Sequence, residues 1–300
     1  MPSDQHPVIW LHHAGQRLGL VPSLGGGVAA WQLVRPNGLL DLLRPWDGLS
    51  DDRYTLAAFA MVPWCNRISG GGFTHAGRFH AMTPNRASEP YPIHGDGWLQ
   101  SWTLTQPRDD TLQMALESRR LNSNPHHYQA TQTFTLKHWG MEQTVSVVHL
   151  DDAPLPYGIG IHPWFLRTPQ ARLSATVEGI WLTSGDLLPT IHSLDLASTW
   201  DLRESVAVNG TLIDNSYTGW SGEACIEWPE HRLKLHVTIA DTKHGYCHFY
   251  RPPDGETFCF EPVSHPINAF HLLGQPGLKV LRQGENLAMK IRWRPTIVAD

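Results

Sequence analysis

Apolar and polar residues alternate along much of this chain. In "RLKLHVTIA", Leu233, Leu235, Val237 and Ile239 share one face, while Lys234, His236 and Thr238 share the other. "LAMKIRW" repeats the pattern, with Leu287, Met289, Ile291 and Trp293 set against Ala288, Lys290 and Arg292. A period of two is the mark of a half-buried strand, because successive side chains of an extended chain point to opposite faces. "YQATQTFTL" and "MEQTVSVVHL" are separated by "KHWG", in which Gly140 suits a hairpin connection. Helical periodicity is scarce. "DDRYTLAAFAM" predicts a turn or two before Pro63, and 26 glycines and 23 prolines interrupt the rest. No fixed-period repeat, low-complexity tract or linker divides the chain. The pattern predicts a single all-β domain over residues 1–300, mainly antiparallel, built as a large sandwich or barrel with few helices. One face of such a sheet can stay concave and solvated, which is where a ligand could sit.

Composition narrows the classes. A chain of 300 residues with 41% hydrophobic and 17% charged residues is globular and long enough to bury a core without staples. Its formal net charge of −5 gives no electrostatic footprint for nucleic acid or an anionic membrane. Apolar runs fall well short of the roughly 18 residues that a spanning helix needs. The start, "MPSDQHPVIW", carries neither a basic segment nor a long apolar one, so no secretory signal is expected. Cys65, Cys225, Cys247 and Cys259 lie far apart with no CxxC spacing, which predicts neither a disulfide framework nor a cysteine zinc site and favours the cytoplasm. The 13 tryptophans and 18 histidines are in excess. Most are expected in the core or on the surface, but an indole also offers a flat apolar face with one polar handle to a hydroxyl-rich ring.

Four stretches concentrate chemistry. "VPWCNRISGGGF" sets Asn66 and Arg67 between an apolar entry and a run of glycines; the arginine fork suits carboxylates or vicinal hydroxyls. "YPIHGDGW" puts His94 between Pro92 and two glycines, where a tight turn can project an imidazole into open space. "GIGIHPWF" ends an apolar strand in His162, and Pro163 stops the ladder at once. Each histidine has a nearby tryptophan, Trp98 and Trp164. In "TFCFEPVSHPINAF", alternation points Thr257, Cys259 and Glu261 to one face and Phe258 and Phe260 to the other. The phenylalanines would anchor the strand, leaving Glu261 toward a cleft where desolvation raises its pKa into the range of a general base. Pro262 and Pro266 forbid a helical Glu261–His265 metal pair.

In their order, "PWCNRISGGGF", "PIHGDGW", "GIHPWF" and "FEPVSHPINAF" resemble the aldose 1-epimerase (galactose mutarotase) family. "LGGGVAAWQL" and "IDNSYTGW" resemble further family positions, so the likeness runs over residues about 20 to 270. It implies the family's large antiparallel β-sandwich, no metal and no organic cofactor, and interconversion of the α and β anomers of an aldose. It also implies roles: Glu261 as general base, His162 as general acid at the ring oxygen, and His94, Asn66 and Arg67 as sugar-binding residues. Asp214 matches the family's sugar-orienting aspartate, with Asp96 as competitor, and Trp164 and Trp98 are candidate walls. A small-molecule sugar is the expected partner, and a monomer or homodimer the expected assembly.

Three rivals stand beside this reading. One is a sugar-binding or sugar-sensing protein without catalysis, against which the pairing of Glu261 with His162 argues. Another is a metal-dependent hydrolase using His94, His162 and Glu261. The third is an epimerase-like enzyme for a phosphorylated or sulfonated sugar, which would need basic residues at the pocket; Arg78, Arg86 and Arg167 are the candidates.

Overall fold

The computed structural model describes residues 5–105, 108–239 and 245–298. Strands predominate, and they form two large antiparallel sheets. The first has twelve strands; its main path runs Ile9–His13, Gln16–Val21, Gly27–Arg35, Ala58–Met61, Gly160–Pro163, Thr257–Val263, Tyr246–Arg251, Ile213–Thr218, Gly179–Thr183 and Pro189–Ser193. The second has nine, with Leu233–Ile239, Asn286–Ile297, Gly140–His149 and His127–Lys137 at its centre. The expected β-sandwich is therefore the fold.

The alternating segments explain why the sheets pack. Leu233, Leu235, Val237 and Ile239 are buried, and so are Leu287, Met289, Ile291 and Trp293. They share one apolar core with Leu18, Trp31, Phe249, Phe258 and Phe260 of the opposite sheet. Each large apolar side chain removed from water contributes about 1.5–3 kcal/mol, so the face that carries the stripe must turn inward. Ala240, which ends the quoted "RLKLHVTIA", lies outside the described residues. The expected hairpin is present: Lys137 pairs with Gly140 across a two-residue loop. Glycine is required there, since φ is +142° and a Cβ would lie 2.0 Å from the Trp293 carbonyl oxygen.

The helical turn expected in "DDRYTLAAFAM" is one 3-10 turn, Arg53–Thr55, capped by the Asp52 carboxylate accepting from the Tyr54 N–H. The apolar remainder becomes the strand Ala58–Met61, buried at every position and paired with Gly160–Pro163. A run of small apolar residues carries no period, so its place between two strands decides its conformation. No helix among the described residues is long and apolar enough to cross a membrane.

Candidate active site

Glu261 sits near the end of the strand Thr257–Val263, which is buried at every position but the first. One face feeds the core: Phe258 packs 5.6 Å from Phe165, and Phe260 lies edge-on to Trp220 at 5.4 Å. The other face carries Cys259 and Glu261, as alternation requires. Register then builds a row of polar side chains, because residues directly opposite in antiparallel strands share a face. Asp214 lies opposite Tyr250, and Tyr250 opposite Cys259. Ser216 lies opposite His248, and His248 opposite Glu261. The neighbouring strand adds His162, whose Nε2 is 3.5 Å from Oε1 of Glu261.

Loops close the site from above. The Asn66 N–H donates to Nδ1 of His94 at 3.1 Å, and the His94 N–H donates to the Asn66 carbonyl at 3.1 Å. These two bonds join motifs 28 positions apart. They also fix the tautomer: in a neutral imidazole whose Nδ1 accepts, Nε2 carries the proton and can donate. His94 and Asn66 both have positive φ, 58° and 53°. Gly95 follows at +70°, where a Cβ would lie 1.9 Å from the Val62 carbonyl oxygen, which accounts for the "HG" pairing.

Arg67 is held by two carboxylates. Nε and Nη2 donate to Glu89 at 2.9 and 3.1 Å, and Nη1 donates to Asp214 at 3.2 Å and to Asn66 Oδ1 at 3.3 Å. Of its five N–H groups these bonds use four, leaving one on Nη2. Burial opposes the guanidinium charge, but Glu89 and Asp214 beside it keep Arg67 firmly protonated.

These groups line a cavity of about 460 Å³ that includes Asn66, Arg67, His94, His162, Trp164, Asp214 and Glu261. Seven of the eight residues singled out from sequence are thus brought together. Trp98 is the exception. It lies behind the wall, packed 5.5 Å from Phe59, with its N–H donating to the Gly95 carbonyl at 3.1 Å. Its place is structural: together with Asn85, whose Nδ2 donates to the same carbonyl at 2.7 Å, it ties down the turn that projects His94. Between the two aspartates, Asp214 is at the cavity. Asp96 is buried elsewhere, accepting from the Tyr128 hydroxyl and from Ser118 at 3.0 Å. Of the three arginines weighed for an anionic sugar, Arg86 alone reaches the cavity, stacked 3.6 Å over the Tyr54 ring and paired with Asp52 at 3.2 Å. Arg78 lines a different hollow, and Arg167 ties the Pro252 carbonyl at 2.6 Å.

The second histidine of "FEPVSHP" is architectural. His265 Nε2 accepts from the Cys65 N–H at 2.9 Å, and its Nδ1 bonds the Pro266 carbonyl at 2.8 Å. Sequence reasoning missed Glu89, Tyr54, Tyr250 and His248. Only Glu89 had a sequence cue, an acid five residues before the "HG" turn. The others are marked by strand register or loop placement.

Burial sets the protonation of the site. Desolvation pushes Glu261 well above the usual carboxylate range; Asp214 adds to this and Arg67 opposes it. Desolvation lowers His162 to about 3, helped by Arg44 and Arg86. His94 falls well below its ordinary value through burial and then through His162 and Arg67. Asp214 is raised by burial against the pull of Arg67. Burial thus favours the uncharged form of each partner, the protonated carboxyl of Glu261 and the neutral imidazole of His162. His162 Nδ1, Glu261 Oε2, Trp164 Nε1 and the Tyr54 hydroxyl are buried without a protein hydrogen-bond partner. Buried polar atoms are normally satisfied, so four at one cavity mark a place for a polar ligand.

Comparison with known proteins agrees. The family described as aldose 1-epimerase matches residues 7–294. A relative from Escherichia coli K12, the uncharacterized protein YphB, is 29% identical over 94% of this chain and 98% of its own. The crystal structure of a putative aldose 1-epimerase from Escherichia coli K12 superposes with a TM-score of 0.90 at 27% identity, covering 97% of this chain and 99% of that one. A galactose mutarotase-like protein from Clostridium acetobutylicum shares the fold, with a TM-score of 0.83 at 18% identity over 99% and 97% of the two chains.

Proposed function

Because this chain belongs to the aldose 1-epimerase family, we propose that it is an isomerase that interconverts the α and β anomers of an aldose. The observation that carries the reading is the Glu261–His162 pair, 3.5 Å apart at a cavity rich in unpartnered polar atoms. Opening a pyranose takes a proton from the anomeric hydroxyl and gives one to the ring oxygen; closing on the other carbonyl face reverses both. In the productive form Glu261 is ionised and takes the first proton, while His162 is protonated and supplies the second. General acid–base catalysis contributes about 10²–10⁴-fold for such a transfer. Nε2–H of His94, the remaining N–H of Arg67, Asn66, Asp214 and Trp164 are the groups that would hold the hydroxyls and ring face.

A neutral sugar is favoured over an anionic one. Arg67 is already neutralised by Glu89 and Asp214, and Arg86 is paired with Asp52 at the rim. We take residues 1–300 as one domain, since a single core cluster runs from Leu11 to Trp293, and the cytoplasm as its place, since all four cysteines are free. The test is anomer exchange, followed by polarimetry or NMR across a panel of neutral, phosphorylated and sulfonated sugars. Catalysis confined to the anionic members would overturn the neutral-sugar reading. A folded protein that binds sugars and exchanges none would make this a sensor.

A further inference from the structure

We propose that His162, Cys259 and Glu261 form a binding site for a borderline or soft divalent cation of the Zn²⁺ or Cd²⁺ class. Their ligand atoms all lie within 4.8 Å of one another. Nε2 of His162 and Oε1 of Glu261 are 3.5 Å apart, close to the edge of a tetrahedron whose bonds are about 2.0–2.2 Å. Cys259 precedes Glu261 by two residues on the same strand face, so a modest side-chain adjustment brings its sulfur into the same sphere. This trio is not the one weighed from sequence: the third ligand is a thiol in place of His94.

Three further observations point the same way. All three residues are buried, and His162 Nδ1 and Glu261 Oε2 have no hydrogen-bond partner in the protein. Ligation through Nε2 and Oε1 therefore gives up only the 3.5 Å contact between these two atoms. The donor set is one nitrogen, one sulfur and one oxygen, which suits zinc and softer ions, whereas Mg²⁺ and Ca²⁺ ask for six or more oxygens. His162 and Glu261 line the cavity and Cys259 does not, so the cavity provides the entry path and a fourth, open position for water or a hydroxyl. On binding, the Cys259 thiol and the Glu261 carboxyl ionise, sulfur, carboxylate oxygen and imidazole nitrogen bond the cation, and the released protons leave to solvent.

A cation here takes the lone pairs that acid–base turnover would use, so binding and turnover exclude one another. The site stands on the ligand set alone; the loss of turnover rests on the function proposed above. The test is titration of the full chain with Cd²⁺, read by the ultraviolet thiolate-to-cadmium band. It is done in a Cys225→Ser background, because Cys225 is a half-buried thiol elsewhere. One equivalent is expected to bind, and the band is expected to vanish in Cys259→Ala. His162→Gln should weaken binding by more than the about 10–100-fold that losing an outer partner costs. Circular dichroism checks folding, with Cys259→Ser as the second variant. Galactose anomer exchange, measured in parallel, should stop as the site fills and return on adding EDTA. A band that survives in folded Cys259→Ala, or none in folded protein at millimolar Cd²⁺, overturns the site. Full binding with undiminished exchange leaves the site standing and overturns the acid–base reading. Absent binding in a protein whose exchange still dies in Glu261→Gln does the reverse.

Discussion

Replacing Glu261 by glutamine separates chemistry from architecture, because the two effects have opposite signs. The amide keeps the volume but cannot accept the anomeric proton. Losing a general base costs about 10²–10⁴-fold, or roughly 2.7–5.5 kcal/mol of barrier. Stability should move the other way. Glu261 is a fully desolvated carboxyl with a raised pKa, its Oε2 has no partner, and Asp214 repels its charge. The turn that follows is held without it, by Ser264 Oγ on the Ile159 N–H at 3.0 Å and by His265 on Cys65. A neutral amide removes the cost of burying charge, about 1.4 kcal/mol for each unit by which the pKa is raised. The sign follows from linkage: between 4.5 and the raised folded value the unfolded chain has released a proton that the folded chain keeps, so rising pH favours unfolding. The stabilisation by Glu261→Gln should therefore appear above pH 4.5, grow with pH, and shrink as the pH returns toward 4.5. Each kcal/mol raises the thermal midpoint by about 2 °C in a chain this long. Calorimetry at two pH values and anomer exchange on the same preparation decide the matter. A variant that melts early yet turns over normally would mean that Glu261 is a brace.

His162→Asn should lower kcat by about 10²-fold or more with a smaller change in KM, since its proton is needed only as the ring oxygen leaves; near-normal kcat sinks that role. The pH profile of wild-type kcat/KM should be displaced from the free-group values, with the Glu261 limb above 4.5 and the His162 limb below 6.5; limbs near 4.5 and 6.5 would show unperturbed groups instead. Stability should drop in acid, because His94, His126, His162, His248 and His265 are all buried with lowered pKa values. Below 6.5 the unfolded chain takes up protons that the folded chain refuses, at about 1.4 kcal/mol per pH unit for each histidine, and a thermal midpoint that stays flat from pH 7.5 to 5 would contradict this. Glu89→Gln should raise KM by about 10-fold with kcat little changed, because Arg67 loses a bidentate charged partner that positions it; an unaltered KM would remove Glu89 from the site.

The period of two, read along the chain, determined the fold class, because in a strand it dictates which residues leave water. It also placed Phe258 and Phe260 inside and Glu261 opposite them. The ordered motifs "NR", "HG", "HP" and "EP" were enough to pick Asn66, Arg67, His94, His162 and Glu261, since glycine and proline flanks betray side chains held at strand ends and turns. Tertiary structure decided the rest. Whether Asp214 or Asp96 met the cavity depended on strand order, which puts Asp214 one strand from Tyr250 and two from Cys259. Trp98 and Trp164 looked alike in sequence, each near a histidine, yet the Gly95 turn draws one behind the wall and the strand end leaves the other at its edge. Glu89 and Tyr54 became part of the site through loop closure over a distance that no local pattern encodes. Apart from the upward shift expected at Glu261, the directions of the pKa shifts at the site were likewise beyond the sequence, because desolvation is a property of the packed environment and not of the residue.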